Sequence, residues 1–458
     1  MTVEPEFVHC SWNVPLRDSC DVAVIGGGSA GIAAGVAAAR NGAAVVLVER
    51  YGFLGGTSTA GMVGPFMTSY SADGTQQVTA GVFQELIDRM VALGGAVDPG
   101  KTEAGSAWAS FISLGHANVT PFHVEALKMA ALEMACDAGV KLRFHTTFID
   151  VHKKGSTIDG VVIHDKGGLG LLRPKVVIDA SADGDVSARA GAPFDLGRPQ
   201  DGKMMPVTLF LTIGNVDDAR VEAWMREHEK LHPGERLFEC IVQQAKVRGE
   251  WQLPREYINL YREPTPGQWR VNTTRVHDVD GTKADDLSRA EIDTRRQALQ
   301  LVRFLRAHCP GLENVQLLAT GAQVGVRETR HILGDYVLTG RDVLEGRRFP
   351  DAIARCSYPI DVHDPTGTRG RLEGIQADYY EIPYRCLTPQ KVDNLLVAGR
   401  CISADHEGAA SARVIPPCYA TGEAAGTAGA LAVRQGVSPR AVDVAQLRQT
   451  LRTQGAIV

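Results

Sequence analysis

The chain of 458 residues lacks the paired cysteines that are typical of several classes of redox and metal protein. Its nine cysteines show neither a C-x-x-C nor a C-x-x-x-x-C spacing: Cys10, Cys20, Cys136, Cys240, Cys309, Cys356, Cys386, Cys401 and Cys418. This spacing excludes the usual zinc and iron–sulfur motifs and argues against a disulfide reductase. An odd number of cysteines without a secretion signal favours reduced thiols, so we expect a cytoplasmic protein with no metal site.

An excess of basic charge and a long apolar run are also missing. The formal net charge is −5 and the arginines are scattered, which predicts that nucleic acid is not a partner. Residues 1–21 include acidic and basic side chains and no apolar run, so they do not resemble a signal peptide. The longest apolar stretch, at 22–39, contains several glycines, and we therefore expect no membrane span.

Glycine, by contrast, is abundant, and its most informative cluster lies in residues 21–50. An apolar strand at 22–25 is followed by Gly26, Gly28 and Gly31 in the spacing G-x-G-x-x-G. A helix of small residues and a second apolar strand at 45–48 follow, and Glu49 ends that strand. This order is that of a β-α-β unit that binds a dinucleotide.

Each residue of the motif has a physical role in holding the dinucleotide. Gly26 permits the tight turn, Gly28 lets the backbone approach a pyrophosphate, and Gly31 brings the helix against the strand. The N-terminus of the helix offers free N–H groups and a partial positive charge to phosphates. We predict that Glu49 accepts hydrogen bonds from the adenosine ribose, which disfavours NADP.

The loop after Glu49 separates FAD from NAD. A nicotinamide dehydrogenase would continue with another helix, whereas this chain continues with a glycine-rich loop that ends in Gly55-Gly56-Thr57-Ser58. Here the chain resembles the FAD-dependent oxidoreductases of the glutathione-reductase structural class. In that class an E-R/K-x-x-x-x-G-G-x-S/T stretch extends from the adenosine to the flavin ring, so the resemblance implies FAD.

The remaining pattern predicts an α/β protein: a Rossmann-like FAD-binding domain, built on a parallel sheet with a β-meander, with an inserted α+β substrate domain. We assign 20–205 and 383–440 to the FAD-binding domain, with 60–115 as an excursion. Residues 206–382 form the predicted substrate domain and 441–458 a C-terminal tail. The expected helices lie at 82–93 and 122–138, and the expected strands at 141–146, 148–152, 157–164, 170–173, 175–178 and 205–213.

Two further helices are predicted from their end signals. Ser288 and Glu291 have capping-box spacing and would open a helix with Ile292, Leu299 and Val302 facing inward. Near the C-terminus an apolar strand ends at Gly399, and a helix starts at Pro416 or Pro417 and continues to about residue 435. The N-terminus of that helix could face a ring carbonyl that gains negative charge on reduction.

The C-terminal block makes the resemblance more specific. With G-V-R-E-T-R at 325–330 and D-V-H at 361–363, the chain resembles a bacterial family of FAD-dependent oxidoreductases. That family lies near flavoproteins named after xanthan lyase or of fumarate-reductase type, and the resemblance covers about 20–440. From the motifs and the resemblance we predict these cofactor-binding residues: Gly26, Gly28, Ser29, Ala30, Gly31, Glu49, Arg50, Gly55, Gly56, Thr57, Ser58, Phe148, Ala180, Asp183, Gly399, Arg400, Pro417 and Cys418.

The candidate catalytic residues are arginines and histidines after residue 320. Arg327 and Arg330 could hold a carboxylate bidentately, or could be partners of an internal ion pair. His406 is the preferred general base because it lies beside the predicted flavin loop, and His363 is the alternative. Arg413 could stabilise reduced flavin or an anionic substrate, or could form a plain salt bridge.

The reaction follows from what the cofactor motifs leave out. A second G-x-G-x-x-G in a strand–helix context is missing, so we expect the substrate to reduce the flavin directly. Oxygen, a quinone or a carrier protein would then accept the electrons. We predict hydride transfer between flavin N5 and a small organic substrate. If the substrate is anionic, the arginines would bind its charged group. The alternatives are a flavin-dependent lyase, hydratase or isomerase without net redox, or a non-catalytic FAD-binding protein. The sequence leaves open whether the chain forms a homo-oligomer.

Overall fold

The structure is a computed structural model that describes residues 11–232 and 234–458. Its strands are β1 Leu16–Ile25, β2 Val45–Val48, β3 Lys141–Arg143, β4 Thr147–Lys154, β5 Thr157–Asp165, β6 Gly168–Asp179, β7 Phe194–Leu196, β8 Leu211–Gly214, β9 Leu260–Arg262, β10 Trp269–Val271, β11 Gln316–Thr320, β12 Arg330–Ile332, β13 Ala352–Cys356, β14 Ile360–His363, β15 Gly370–Glu373, β16 Tyr380–Pro383 and β17 Leu395–Val397. Its helices are α1 Ser29–Arg40, α2 Val82–Ala92, α3 Val124–Asp137, α4 Asp185–Arg189, α5 Asp218–Leu231, α6 Glu239–Val247, α7 Ala284–His308, α8 Gly340–Leu344, α9 His406–Ala412, α10 Ile415–Gln435 and α11 Val444–Thr453.

The largest sheet has seven strands and a Rossmann-like centre. Its order is β3-β2-β1-β6-β5-β4, and β17 also pairs with β6. The pairs β1–β2, β1–β6, β2–β3 and β6–β17 are parallel, whereas β4, β5 and β6 form an antiparallel meander. The strand part at 22–25 and all of β2 are buried, as expected when helices cover both faces of a parallel sheet. The α/β class and the parallel sheet with a β-meander are therefore confirmed.

Several predicted strand limits need correction. The strands expected at 170–173 and 175–178 form one strand, β6, because Pro174 pairs with Cys20 of β1 and does not interrupt the register. The strand expected at 141–146 ends at Arg143, and His145 then adopts a φ of 51°, outside the extended region. The strand expected at 205–213 is regular only in β8, and Val207 and Thr208 form isolated bridges.

The start of α7 and two of its three predicted inward residues were wrong, whereas Val302 is buried as predicted. The helix begins at Ala284, and the hydroxyl of Ser288 donates to the carbonyl of Ala284 inside the helix instead of capping it. Ile292 and Leu299 are 53% and 54% exposed, because α7 packs through a different side of the helix. The buried residues of that face are Ala290, Thr294, Ala298, Leu301, Val302, Phe304 and Leu305.

Two helices from opposite ends of the chain cross at backbone contact. A Cβ added to Gly422 would lie 2.2 Å from the carbonyl oxygen of Ala30, and one added to Gly426 would lie 2.2 Å from that of Ala34. The glycines of α10 therefore allow it to lie directly on α1. This contact places the N-termini of both helices beside the carboxyl ends of the central strands. Helix α10 ends at Gln435, so the helix expected to end at about residue 435 is confirmed.

A second hydrophobic core lies around the four-stranded antiparallel sheet β11-β8-β10-β9 and includes residues of α5, α6 and α7. The first core extends beyond the large sheet to β13 and β16, and β13 packs against α10. The segment expected as a C-terminal tail contains α11, in which Leu447 and Leu451 are buried. Within the described residues, no helix is both long and apolar enough to span a membrane.

Candidate active site

A cavity of about 880 Å³ extends from the carboxyl ends of β1, β2 and β6 toward the second sheet. Ile25, Val48 and Ala180 line it on the side of the large sheet, and Tyr257 and Tyr261 line it near β9. Ligands of open α/β sheets bind at this edge of the strands. The cavity therefore joins the predicted dinucleotide motif to the second core.

Most of the predicted cofactor-binding residues line this cavity. Those that do are Gly26, Gly28, Ser29, Ala30, Glu49, Arg50, Gly56, Thr57, Phe148, Ala180, Asp183, Gly399, Arg400 and Cys418. Those that do not are Gly31, Gly55, Ser58 and Pro417. The second group lies behind the lining and can act on a ligand only through the backbone that it shapes.

The geometry requires glycine for different reasons at the three positions of the motif. A Cβ on Gly31 would lie 1.8 Å from the carbonyl oxygen of Gly26, and a Cβ on Gly26 would lie 2.4 Å from that of Ala180. A Cβ on Gly28 would meet only the Cα of Gly56, at an ordinary 3.7 Å, and Gly28 lines the cavity. The protein fold thus requires glycine at 26 and 31, whereas Gly28 keeps free the space that a pyrophosphate would occupy.

Glu49 fixes the loop on both sides of the turn. Its Oε2 accepts a hydrogen bond from the N–H of Gly27 at 2.7 Å, and its Oε1 accepts one from the N–H of Tyr51 at 2.9 Å. Burial raises the pKa of the Glu49 carboxyl. Arg50 and the hydroxyl of Tyr51 both donate to Oε1 of Gln323, which holds this end of the cavity to the β11–β12 connection.

The turn after β6 is organised by a buried aspartate. Asp179 accepts hydrogen bonds from the N–H and hydroxyl groups of Ser181 and Ser187, at 2.6 to 3.1 Å. The turn then presents 180–183 to the cavity. Asp183 accepts hydrogen bonds from Arg400 at 2.5 Å and from Thr329 at 2.8 Å, so the turn is joined to the loop after β17.

Two helix N-termini face the cavity. Ser29 and Ala30 of α1 line it on one side, and Ile415 and Cys418 of α10 line it on another. Each N-terminus is the positive end of a helix dipole, and α1 also has free N–H groups, whereas Pro416 and Pro417 supply none to the first turn of α10. The arrangement suits a ligand with a pyrophosphate and a second group that gains negative charge, and both features belong to FAD.

The end of the cavity near the second core has an excess of arginine. Arg236, Arg255, Arg327 and Arg413 line it, and Arg275 lies behind His363. Among the described residues, Asp361 is the only acid within 4 Å of any of these five guanidinium groups, at 3.7 Å from Arg413.

Burial and the neighbouring arginines lower the pKa of Arg275 to about 10 and that of Arg327 well below its usual value. This end of the cavity is therefore strongly electropositive. Arg327 is held in place by hydrogen bonds that it donates to the carbonyl of Pro206 at 2.5 Å and to the hydroxyl of Thr208 at 2.7 Å.

His363 lines the cavity but both of its ring nitrogens are engaged. Arg275 can only donate, so Nδ1 of His363 accepts its hydrogen bond at 3.1 Å. The ring proton is then on Nε2, which lies 3.3 Å from Oδ2 of Asp361. Burial and the charge of Arg327 lower the pKa of His363 well below its usual value, so the ring is neutral.

The structure does not bring His406 or Arg330 to the cavity. Nδ1 of His406 lies 2.6 Å from Oε1 of Glu328, and Nε2 of His331 lies 2.9 Å from the same oxygen. Although burial opposes it, the bonds from these histidines lower the pKa of Glu328 to about 2. Arg330 donates to the carbonyl of Asp183 and to the carboxylate of Asp185, both at 2.9 Å.

Sequence reasoning missed six aromatic and basic residues of the lining, one at position 116 and five in the predicted substrate domain. They are His116, Arg236, Arg255, Tyr257, Tyr261 and Tyr358. No motif joins them, because they come from separate loops and strands. The spacing of Arg255 and Tyr257 is the one available signal, since residues two apart share a face of an extended segment.

A dinucleotide turn, two helix N-termini and one continuous cavity define a flavoenzyme of the FAD-binding α/β class. The chain belongs to the family of FAD dependent oxidoreductases, whose sequence model matches residues 21–451. It is therefore an enzyme with FAD as its cofactor. The narrower resemblances, to the glutathione-reductase class and to flavoproteins near xanthan lyase or fumarate reductase, stay predictions.

Comparisons with individual proteins give distant matches. Comparison with curated proteins gives no match. Among solved structures, a geranylgeranyl bacteriochlorophyll reductase-like protein from Thermoplasma acidophilum is 13% identical with a TM-score of 0.44, over 96% of this chain and 84% of that one. The p-nitrophenol 4-monooxygenase PnpA from Pseudomonas putida is 12% identical with a TM-score of 0.48, over 95% and 84% of the two chains.

Proposed function

We propose that this enzyme oxidises a small anionic organic substrate, or catalyses the reverse reduction. When bound, FAD supplies the two-electron chemistry, as a hydride exchanged between a substrate carbon and flavin N5. The observation that supports the proposal is the arginine-rich end of the cavity, where five guanidinium groups have a single acid within 4 Å in the part of the chain that the structure describes. We assign 206–382, as the sequence predicts, to the substrate domain, since Arg236, Arg255 and Arg327 belong to it.

Electrostatics favours an anionic substrate at this position. Removing a charged group from water costs several kcal/mol unless a partner of opposite charge offsets it. Arg255 is 2% exposed and Arg275 is 1% exposed, so water compensates them poorly. A substrate carboxylate or phosphate would supply the missing negative charge, and the planar guanidinium fork holds such groups bidentately. Arg327 and Arg413 are the proposed ligands of this group.

The cofactor would be held by residues at the other end. Gly28 and the N-terminus of α1 are the proposed pyrophosphate site, and Glu49 holds the loop beside the adenosine. The N-terminus of α10 is the proposed partner of the flavin ring. His406 and Arg330 then stabilise the fold instead of contacting the substrate, because they pair with Glu328 and Asp185 and do not line the cavity.

The proposal is tested by mixing the purified yellow holoenzyme, without oxygen, with small carboxylates and phosphates and with their neutral amide or ester analogues. We expect anionic compounds alone to bleach the flavin absorbance. Reoxidation with oxygen and with quinones then identifies the acceptor. Bleaching by neutral analogues at equal concentration would refute the anionic substrate, and turnover without any bleaching would indicate a redox-neutral enzyme.

A pair of variants tests the role of Arg327. Losing a hydrogen-bonded charge contact costs about 1.5–3 kcal/mol, so Arg327→Met should weaken substrate binding about 10- to 100-fold. Arg296→Met is the matched control, because Arg296 is an exposed residue of α7 with its side chain 74% exposed. Equal affinities of the two variants would contradict the assignment.

A further inference from the structure

We infer that Tyr257 exchanges a proton with the substrate, as the acid or base partner of the redox reaction; this inference rests on the proposed function. Tyr257 lines the same cavity as Arg327 and Arg413, at its electropositive end. No sequence motif includes it, and the sequence assigned the proton transfer to His406.

Tyr257 lies between two arginines. The guanidinium carbons of Arg236 and Arg255 lie 4.4 Å and 4.6 Å from the centre of its ring. Nη2 of Arg255 also donates a hydrogen bond to the phenol oxygen at 3.2 Å. Positive charge and a donated hydrogen bond both stabilise a phenolate more than a phenol. Burial opposes ionisation, but the charges of Arg255 and Arg236 prevail and lower the pKa of Tyr257 below its usual value.

The proton of the Tyr257 phenol is free to reach a substrate. The bond from Arg255 occupies an acceptor position of the oxygen and leaves its O–H bond available. Within the two described ranges of the chain, no protein group accepts that proton, and the residue faces the cavity. A general acid or base works best when its pKa lies near the working pH and its proton is within reach of the substrate.

The other two tyrosines at the electropositive end of the cavity, Tyr261 and Tyr358, are unsuited to this role. The hydroxyl of Tyr358 donates to Asp361 at 3.1 Å, and burial raises its pKa well above the usual value. Burial raises the pKa of Tyr261 to about 12. Both phenols therefore stay protonated throughout the neutral range, and Tyr257 alone among these three has surroundings that favour its phenolate.

The histidines are unsuited for different reasons. Both nitrogens of His363 are engaged, by Arg275 and by Asp361. His116 donates from Nδ1 to the carbonyl of Leu114 at 2.9 Å, and burial lowers the pKa of its ring. A protonated His116 would add another positive charge to a cavity end that already has an excess of arginine. A phenolate, by contrast, offsets part of that excess.

The proton step balances with the reaction proposed above. In the oxidative direction an O–H or N–H bond of the substrate breaks, and the proton forms an O–H bond with the phenolate oxygen of Tyr257. The two electrons leave with the hydride that FAD accepts. In the reductive direction the phenol O–H bond breaks, the proton returns to the substrate and the phenolate remains between Arg236 and Arg255.

The first test needs no substrate. The holoenzyme is labelled with ¹³C at Cζ of its ten tyrosines, and the NMR signals are followed as the pH rises. The signals missing from Tyr257→Phe and Tyr261→Phe assign the two residues. We expect Tyr257 to ionise at a lower pH than Tyr261 and below a pH of about 10, the usual phenol value. Ionisation of Tyr257 together with or after Tyr261 would overturn the inference.

The second test uses a substrate that bleaches the flavin. General acid–base catalysis contributes at least about 100-fold, so Tyr257→Phe should slow flavin reduction by about that factor. Substrate affinity should change by less than about tenfold, since only one hydrogen bond is lost. In the wild type the reduction rate should rise with pH through the ionisation of Tyr257, and this rise should vanish in the variant.

Tyr379→Phe is the matched control for the rate measurement. The ring of Tyr379 also lies against two arginines, Arg348 and Arg355, but it is not among the residues that line the cavity. We expect this variant to keep the wild-type rate and pH profile. A Tyr257→Phe enzyme that does the same would overturn the inference. If no anionic compound bleaches the flavin, the proposed function fails and the proton role with it, whereas the NMR titration still decides the state of Tyr257.

Discussion

Replacing Gly422 by alanine should destabilise the protein and weaken FAD binding, because this glycine allows α10 to touch α1. The new Cβ would lie 2.2 Å from the carbonyl oxygen of Ala30, whereas carbon and oxygen normally approach to about 3.3 Å. The obstacle is backbone, so the helices must separate by about 1 Å. Overpacking of this kind costs about 3 kcal/mol, and alanine's better helix propensity returns about 1 kcal/mol. We therefore expect a net loss of about 2 kcal/mol.

The effect on FAD follows from the position of the contact. Ala30 is in the first turn of α1 and lines the cavity, so the separation moves the helix N-terminus that is proposed to face the pyrophosphate. A helix-terminus interaction is worth up to about 1 kcal/mol, which corresponds to about a fivefold change in affinity. The assays are urea unfolding of the apo-protein and titration of the apo-protein with FAD.

Gly429 provides the matched control in the same helix. A Cβ there would meet only side-chain carbons of Ile178, Val176 and Val22, at an ordinary 3.6 Å. Gly429→Ala should leave FAD binding unchanged and stabilise the protein by up to about 1 kcal/mol. The reasoning is refuted if the two alanine variants show the same unfolding midpoint and the same FAD affinity.

Two buried carboxylates give further predictions. Glu49→Gln places an amide N–H₂ where the carboxylate accepts the N–H groups of Gly27 and Tyr51, and FAD affinity, measured by fluorescence titration, should fall about tenfold; unchanged affinity would contradict the role of Glu49. Burial raises the pKa of Glu423, which accepts the N–H of Val82, to about 7 from an ordinary value of 4.5. The folded state therefore binds the proton more tightly, and stability from this group is lost as pH rises from about 4.5 to 7. The urea midpoint of the wild type should be lower at pH 8 than at pH 5, and this difference should be smaller for Glu423→Gln. Equal differences for the two proteins would contradict this prediction.

The cofactor end of the cavity could be predicted because its residues are close in sequence. Gly26, Gly28 and Glu49 belong to one β-α-β unit; Gly26 is fixed by its contact with the end of the neighbouring strand β6, and Glu49 by its hydrogen bond from Gly27. Local spacing therefore specifies local geometry. The same principle explains why β2, α10 and the buried part of β1 were predicted well, since their apolar or glycine patterns describe one buried element at a time; the exposed start of β1 at Leu16 was missed.

Prediction of the substrate end failed where distant segments determine the geometry. His406 follows the flavin loop, so the sequence placed it at the flavin. Glu328, however, is buried beside it and holds both His406 and His331. Spacing along the chain gives no information on this contact between α9 and the segment before β12. The helix start at Ala284 was missed for another reason: the spacing of a capping box, here Ser288 and Glu291, also occurs inside helices.

The separation of charge along the cavity connects the cofactor with the choice of substrate. The N-termini of α1 and α10 each present about half a positive charge, which the pyrophosphate and the reduced ring of FAD would offset. The arginines lie at the other end, near Tyr257 and His363, whereas the proposed phosphate site is at the glycine turn, and among the described residues Asp361 is the only acid within 4 Å of them. The holoenzyme therefore keeps an electropositive end, whose field raises the local concentration of anions. Binding a substrate anion there also weakens the stabilisation of the Tyr257 phenolate, so we expect substrate binding to raise the pKa of Tyr257 and make it a stronger proton acceptor at the moment of reaction.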